Sequence, residues 1–257
     1  MADLNKYKRL VKQQFLEACE QNNIQKVKSC IARIVDINCL TEDGLWWGLR
    51  YAAEKNHVEL CQLLLSQPNI DVNKKDKNNM TCLMIACFNG YVEITRMLCN
   101  APGIDLNCKD HFNGYTAATW AANMGYIDCL RVLATTRGVD WNARDNVLDT
   151  VSMKMVTEDN REVLEVLKDI PDIDWNLKDV YWDTVLSRAI KNNSMNVIEV
   201  LKNIPNLEIK MDHLKDCKLA GRLLEAFKIK VQPQLRIPEC PVSLEIMPLN
   251  FSLLLFL

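Results

Sequence analysis

Asp71-Val72-Asn73-Lys74-Lys75-Asp76-Lys77-Asn78-Asn79-Met80-Thr81, followed by Ala86-Cys87, Gly90 and Pro102, is the stretch that decides the fold, because the chain writes its key residues repeatedly. The aspartate and asparagine return as Asp36-Ile37-Asn38, Asp105-Leu106-Asn107, Asp140-Trp141-Asn142 and Asp174-Trp175-Asn176, spaced by 34 or 35 residues. Self-similarity at about this period marks units that cannot bury an apolar face alone and must stack on copies of themselves.

Working outward, an acidic turn and a threonine recur as Asp76 with Thr81, Asp110 with Thr116, Asp145 with Thr150, and Asp179 with Thr184. Threonine there predicts a helix N-cap, its hydroxyl accepting from a free amide of the first turn. Each first helix carries a pair of mostly small residues: Ala52-Ala53, Ala86-Cys87, Ala121-Ala122, the larger Met155-Val156, and Ala189-Ile190. Three residues on stand Asn22, Asn56, Gly90, Gly125, Asp159 and Asn193, the types that best tolerate the left-handed region where a helix closes. A second apolar-periodic helix follows, as in Val58, Leu60, Cys61, Leu64 and Leu65. Pro68, Pro102, Pro171 and Pro205 stop that helix, with Arg137 in the equivalent place once. The unit is a hairpin turn, a helix, a tight loop, a second helix and an extended return.

Asp-x-Asn, Asp-x-x-Gly-x-Thr, the Ala-Ala pair and Gly/Asn-x-x-Glu together resemble the ankyrin repeat, over roughly residues 5 to 229. The resemblance implies an all-α solenoid of about six helix-pair units with β-hairpin fingers. The expected array with its terminal caps spans 1–230, and 231–257 is expected to be a flexible tail. The family's Thr-Pro-Leu-His opening is missing: Thr81-Cys82-Leu83-Met84 and Thr116-Ala117-Ala118-Thr119 stand in its place. Residues 36–70 hold one extra residue near Leu45-Trp46-Trp47-Gly48, and the hairpin at Asp110-His111-Phe112-Asn113-Gly114 is also lengthened, so both turns should be irregular.

The family resemblance also implies a protein partner, bound in a concave groove by hairpin tips and the exposed side of the first helices. Position by position, that surface includes Trp46, Met80, Phe88, Asn89, His111, Phe112, Tyr115, Asn123, Met124, Tyr181 and Trp182. Aromatic residues and methionine are enriched at such interfaces. Trp141, Trp175 and Trp120 read as structural, and the Asp-x-Asn residues as scaffolding that satisfies turn amides.

Composition narrows the remaining classes. A net charge of −2 with scattered Lys and Arg lacks the basic footprint of a nucleic-acid binder. Among the eleven cysteines, Cys19, Cys61, Cys87, Cys99 and Cys129 occupy positions that other units fill with Ala, Val or Leu, which predicts buried thiols, a reducing compartment and a cytoplasmic or nuclear protein. His57, His111 and His213 fall in different units, and there is no phosphate loop, His-Glu-x-x-His or Cys-x-x-Cys, so no catalytic residue, metal site or cofactor is expected. No membrane-spanning stretch is expected either, since the apolar run Leu249–Leu257 is far shorter than the ~20 residues a span needs.

The tail carries Ile237-Pro238-Glu239-Cys240-Pro241-Val242-Ser243-Leu244-Glu245, which is similar to the opening of a RING domain, with Ser243 where the second cysteine belongs. A serine is a poor zinc ligand, so the fragment is expected to hold no zinc. Two readings follow: a partner-binding adaptor without catalysis, or the substrate-recruiting part of a ubiquitin ligase whose RING is truncated, with ubiquitination substrates as partners.

Overall fold

The computed structural model describes residues 2–33 and 36–208. The RING-like stretch 237–248 and all but the start of the expected terminal cap 207–229 lie outside them. Twelve α-helices stand in six consecutive pairs among the described residues: α1 Ala2–Glu20, α2 Ile24–Ile31, α3 Gly48–Lys55, α4 Val58–Leu65, α5 Cys82–Asn89, α6 Val92–Cys99, α7 Ala117–Asn123, α8 Ile127–Ala134, α9 Val151–Thr157, α10 Arg161–Leu167, α11 Val185–Lys191 and α12 Met195–Leu201. They form two compact units, one of residues 1–146 and one beginning at Val147.

The threonines start the helices as their chemistry predicts. Thr81, Thr116, Thr150 and Thr184 each accept a bond from the amide three residues on, at 3.3 or 3.4 Å. At the other end, Asn22, Asn56, Gly90, Gly125, Asp159 and Asn193 all turn left-handed, with φ between 50° and 73°. That turn lets the next amide reach back to the helix: Tyr91 N–H donates to Ala86 O at 2.9 Å and Tyr126 N–H to Ala121 O at 2.9 Å. Gly90 is doubly constrained, because a Cβ there would also stand 2.6 Å from the Tyr126 ring.

The second helices bury one face at a fixed phase: Leu60, Cys61 and Leu64; Ile94, Thr95 and Leu98; Cys129, Leu130 and Leu133; Val163, Leu164 and Leu167; Val197, Ile198 and Leu201. This i, i+1, i+4 stripe packs against the small pairs, all buried, of the first helices. In α1, a first helix, Val11, Phe15, Ala18 and Cys19 are buried at the i, i+4, i+7, i+8 spacing of one helical face. The nine described cysteines are free and buried, which agrees with their reading as small apolar residues. Burial pushes the Cys61 thiol up to about 12.

The fingers differ from the expected β-hairpins in one respect: there is no β-strand among the described residues. Each is a turn closed by a backbone bond, from Asp76 N–H to Met80 O at 3.1 Å and from Asp179 N–H to Asp183 O at 2.9 Å. The two lengthened fingers close one residue later, from Thr41 N–H to Trp46 O at 2.8 Å and from Asp110 N–H to Tyr115 O at 3.0 Å. A turn this short leaves no room for a ladder, and its aspartate does the bonding instead.

Between successive repeats of the same unit the Asp-x-Asn residues do more than finish a turn. Each aspartate accepts from the amide of its own asparagine, as in Asp71 Oδ1 with Asn73 N–H at 3.1 Å. The asparagine then spans to the following loop. Asn73 Nδ2 donates to Gly103 O at 2.7 Å while its Oδ1 accepts from Asp105 N–H at 2.8 Å. Asn38, Asn107 and Asn176 make the equivalent pair with the next return loop. One carboxamide thus replaces two backbone partners that the irregular return segment lacks.

Candidate functional site

Within residues 1–146 the finger aspartates organise the candidate surface. Asp76 Oδ1 accepts from Asn78 N–H and Met80 N–H, each at 2.8 Å, and its Oδ2 accepts from Arg50 at 2.6 Å. The Arg50 guanidinium also lies 4.8 Å from the Trp46 ring centre, and Trp46 stacks on Tyr51 at 4.8 Å. Trp46 is therefore half-buried support for its finger as well as part of its surface.

Asp110 is buried and binds three donors: Asn113 N–H at 2.8 Å, Tyr115 N–H at 3.0 Å and the Trp120 indole at 3.1 Å. Trp120 then meets Phe88 edge-on at 5.1 Å on one side and Tyr115 at 5.1 Å on the other. This corrects two expectations. Tyr115 is only 9% exposed, because the longer finger folds it beneath the turn, so it supports the surface instead of presenting itself. Trp120, read as structural and by its place beside Ala121 as core, keeps the structural role but is half-exposed, joining helix α7 to both finger and α5. A ring bearing an N–H ten residues from a buried carboxylate is the signal that marks it.

Phe112, at the same finger's outer edge, is 69% exposed and touches His111 at 5.8 Å between ring centres. Successive fingers are tied by backbone: His111 N–H donates to Asn78 O at 2.9 Å, and Asn146 N–H to Asn113 O at 2.8 Å. Gly114 is needed at φ 72°, since a Cβ would stand 2.5 Å from Asn146 Oδ1. Phe88 and Met124 are exposed, whereas Met80, Asn89 and Asn123 are half-buried. The Asn89 carboxamide is partly spent on Ile85 O at 2.9 Å.

Beginning at Val147, the second unit has its own surface. Tyr181 and Trp182 are 78% and 76% exposed, with Val147, Leu148 and Val180 also open to solvent. Trp182 and Leu148 both have φ 63°, a left-handed backbone that bulky residues rarely adopt. Asp179 Oδ1 accepts from Tyr181 N–H at 2.7 Å and Asp183 N–H at 2.8 Å. Arg188 binds Asp179 and also forks onto Asp149, with bonds of 2.6 and 2.7 Å. Burial alone would raise the Asp179 carboxyl, but Arg188 and the two amides hold it below its ordinary value. Among the described residues no group of three or more His, Cys, Asp or Glu could hold a metal ion, and no helix is long and apolar enough to cross a membrane.

Comparison with known proteins agrees with this geometry. The family model described as ankyrin repeats, three copies, matches residues 15–110 and 49–145. Among solved structures, the crystal structure of EF0377, an ankyrin repeat protein, is similar over 75% of this chain and 98% of its own length, at 21% identity and a TM-score of 0.67. No curated protein matches the chain.

Proposed function

The chain belongs to the ankyrin repeat family, and we propose that it is a non-catalytic recognition module that binds a protein partner through its fingers and the exposed sides of its first helices. The observation that carries this reading is the fixed aromatic group Phe88–Trp120–Tyr115, anchored on buried Asp110, with Phe112 beside it in solvent. Rigid aromatic side chains held before binding lose little entropy on association, which is what an interface anchor needs. Tyr181 and Trp182 supply a second, separate set of contacts. The nine cysteines among the described residues, all free thiols, fit a cytosolic or nuclear home, and the division into an array to residue 230 and a tail from 231 is part of the proposal.

Peptides selected from a display library on the full-length chain test the reading. The selected peptide should bind Phe88→Ala/Phe112→Ala at least about 10-fold more weakly, as loss of an anchor does. Unchanged affinity in those variants and in Tyr181→Ala/Trp182→Ala would remove both surfaces from consideration.

A second reading is favoured by Ile237–Glu245 alone: the chain recruits substrate for ubiquitin transfer. It predicts ubiquitin chains in a reconstituted reaction only when a complete RING domain is joined to the array. Transfer by the chain as written would contradict the non-catalytic reading.

A further inference from the structure

The tetrapeptide Phe-Asn-Gly-Tyr occurs twice, as Phe88-Asn89-Gly90-Tyr91 and as Phe112-Asn113-Gly114-Tyr115, and these copies hold both Asn-Gly pairs of the chain. An asparagine before glycine is the one most open to deamidation, because glycine has no side chain to keep its backbone nitrogen from the preceding carboxamide carbon. Identical neighbours make the two sites a controlled pair, so a difference between them comes from the fold.

In the first copy the reacting groups are occupied. Asn89 is the last residue of α5, its Nδ2 donates to Ile85 O at 2.9 Å, and the Gly90 N–H is turned back onto the carbonyls of Ala86 and Cys87. Reaction at Asn89 has to wait for the helix end to open. In the second copy the same groups are free. Asn113 is exposed on the lengthened finger, and among the described residues neither its carboxamide nor the Gly114 N–H has a hydrogen-bond partner. Only the Asn113 backbone is engaged, its N–H donating to Asp110 Oδ1 and its carbonyl accepting from Asn146 N–H, each at 2.8 Å.

We infer that Asn113 is a site of spontaneous deamidation in the folded protein, and that the product reshapes the finger that carries Phe112. The Gly114 nitrogen gives its proton to hydroxide and bonds to Asn113 Cγ. The Cγ–Nδ2 bond breaks, and the leaving nitrogen takes a proton from water and departs as ammonia, which closes a succinimide ring. Water then opens the ring at either carbonyl. One opening gives aspartate, the other isoaspartate, whose main chain runs through Cγ and is one atom longer. The extra atom falls where room is least, since a Cβ on Gly114 would already stand 2.5 Å from Asn146 Oδ1. Asn146 joins this finger to the next through Asn113 O at 2.8 Å and Phe112 O at 2.9 Å, and a lengthened chain puts both carbonyls out of register. The modification does not depend on the recognition reading and goes beyond it.

The test holds the full-length chain in mildly alkaline buffer, samples it over time, digests each sample in acid, where the reaction stops, and follows the exchange of NH2 for OH by mass spectrometry at each asparagine. In the folded chain Asn113 should convert at least about 10-fold faster than Asn89, which is protected by its helix. In urea the two rates should converge, because their neighbours are the same. Equal rates in the folded chain, or an Asn113 that stays intact there while the urea sample converts, overturns the inference. Amide exchange read by NMR tests the effect on the finger. The Asn146 N–H should exchange at least about 10-fold faster in the isoaspartyl chain than in the wild type, and stay near the wild-type rate in Asn113→Asp, which adds the charge without the extra atom. Unchanged exchange in the isoaspartyl chain, or equally fast exchange in Asn113→Asp, overturns the claim that the lengthened main chain opens the join.

Discussion

The finger of residues 76–80 and the finger of residues 179–183 are the same turn built with different corners. Both are drawn together by an aspartate whose Oδ1 accepts the amides two and four residues ahead. The residue forced left-handed is Asn79 at φ 59° in the first and Trp182 at φ 63° in the second. Asparagine visits that region at little cost, whereas a bulky residue there costs about 1–2 kcal/mol. The aspartate therefore fixes the geometry, and the corner is free to carry a side chain chosen for what it presents.

The anchors differ in parallel. Arg50 meets Asp76 and two tryptophan rings, while Arg188 meets two carboxylates, Asp149 and Asp179. The more strained corner stands on the stronger clamp. Lys178, with its amine 4.9 Å from the Trp182 ring centre, adds a cation–π contact that offsets part of the strain.

The sharpest way to break this comparison is to remove the clamps. Arg188→Met removes a guanidinium shared by two largely buried carboxylates and should destabilise by about 3–5 kcal/mol, against less for Arg50→Met. Equal shifts in the urea midpoints of the two variants would show that the clamps are equivalent. Next in size, Asn73→Ala removes both bonds to the following loop and should cost about 2 kcal/mol by the same measurement. A loss near zero would return that asparagine to a role inside its own turn.

Glycine exchanges at the corners should have opposite signs. Gly114→Ala is strained by its positive φ and by the approach of Asn146, and it should destabilise by about 1 kcal/mol or more. Trp182→Gly relieves strain at an exposed site and should raise the thermal midpoint, a gain of up to about 1 kcal/mol. A lower midpoint would mean that Trp182 packs usefully in the free protein.

The smallest effect is in acid. Because the native Asp179 carboxyl lies below its ordinary value near 4, its stabilisation is complete above that value and is lost as pH falls through the native value. The stability gap between wild type and Arg188→Met should hold down to about pH 4 and narrow below it. A gap independent of pH would assign the Arg188 effect to packing.

The scaffold was legible wherever one residue does one local job. Thr81 caps its helix and Asn56 turns left-handed for reasons visible in their own side chains, so the period, the helix starts and the helix ends could all be read. The reach of Asn73 to Gly103 and Asp105 could not, because a carboxamide shows that it will bond but not with what. The candidate surface was legible in composition only. Phe112 and Trp182 are exposed as expected, but Tyr115 is folded under by one extra residue, and Trp120 comes outward because its indole has a buried carboxylate to reach. Nor does chemistry favour tryptophan or leucine at a left-handed corner, so Trp182 and Leu148 are found only in the folded chain.

The central claim is that the aromatic corners are kept for recognition and not for stability. Isothermal titration of a display-selected peptide against the wild-type chain, Phe88→Ala/Phe112→Ala and Trp182→Gly tests it most directly. The account predicts at least about a 10-fold loss of affinity in one of these folded variants, with Trp182→Gly as stable as the wild type or more so. Equal affinity for all three proteins would contradict it.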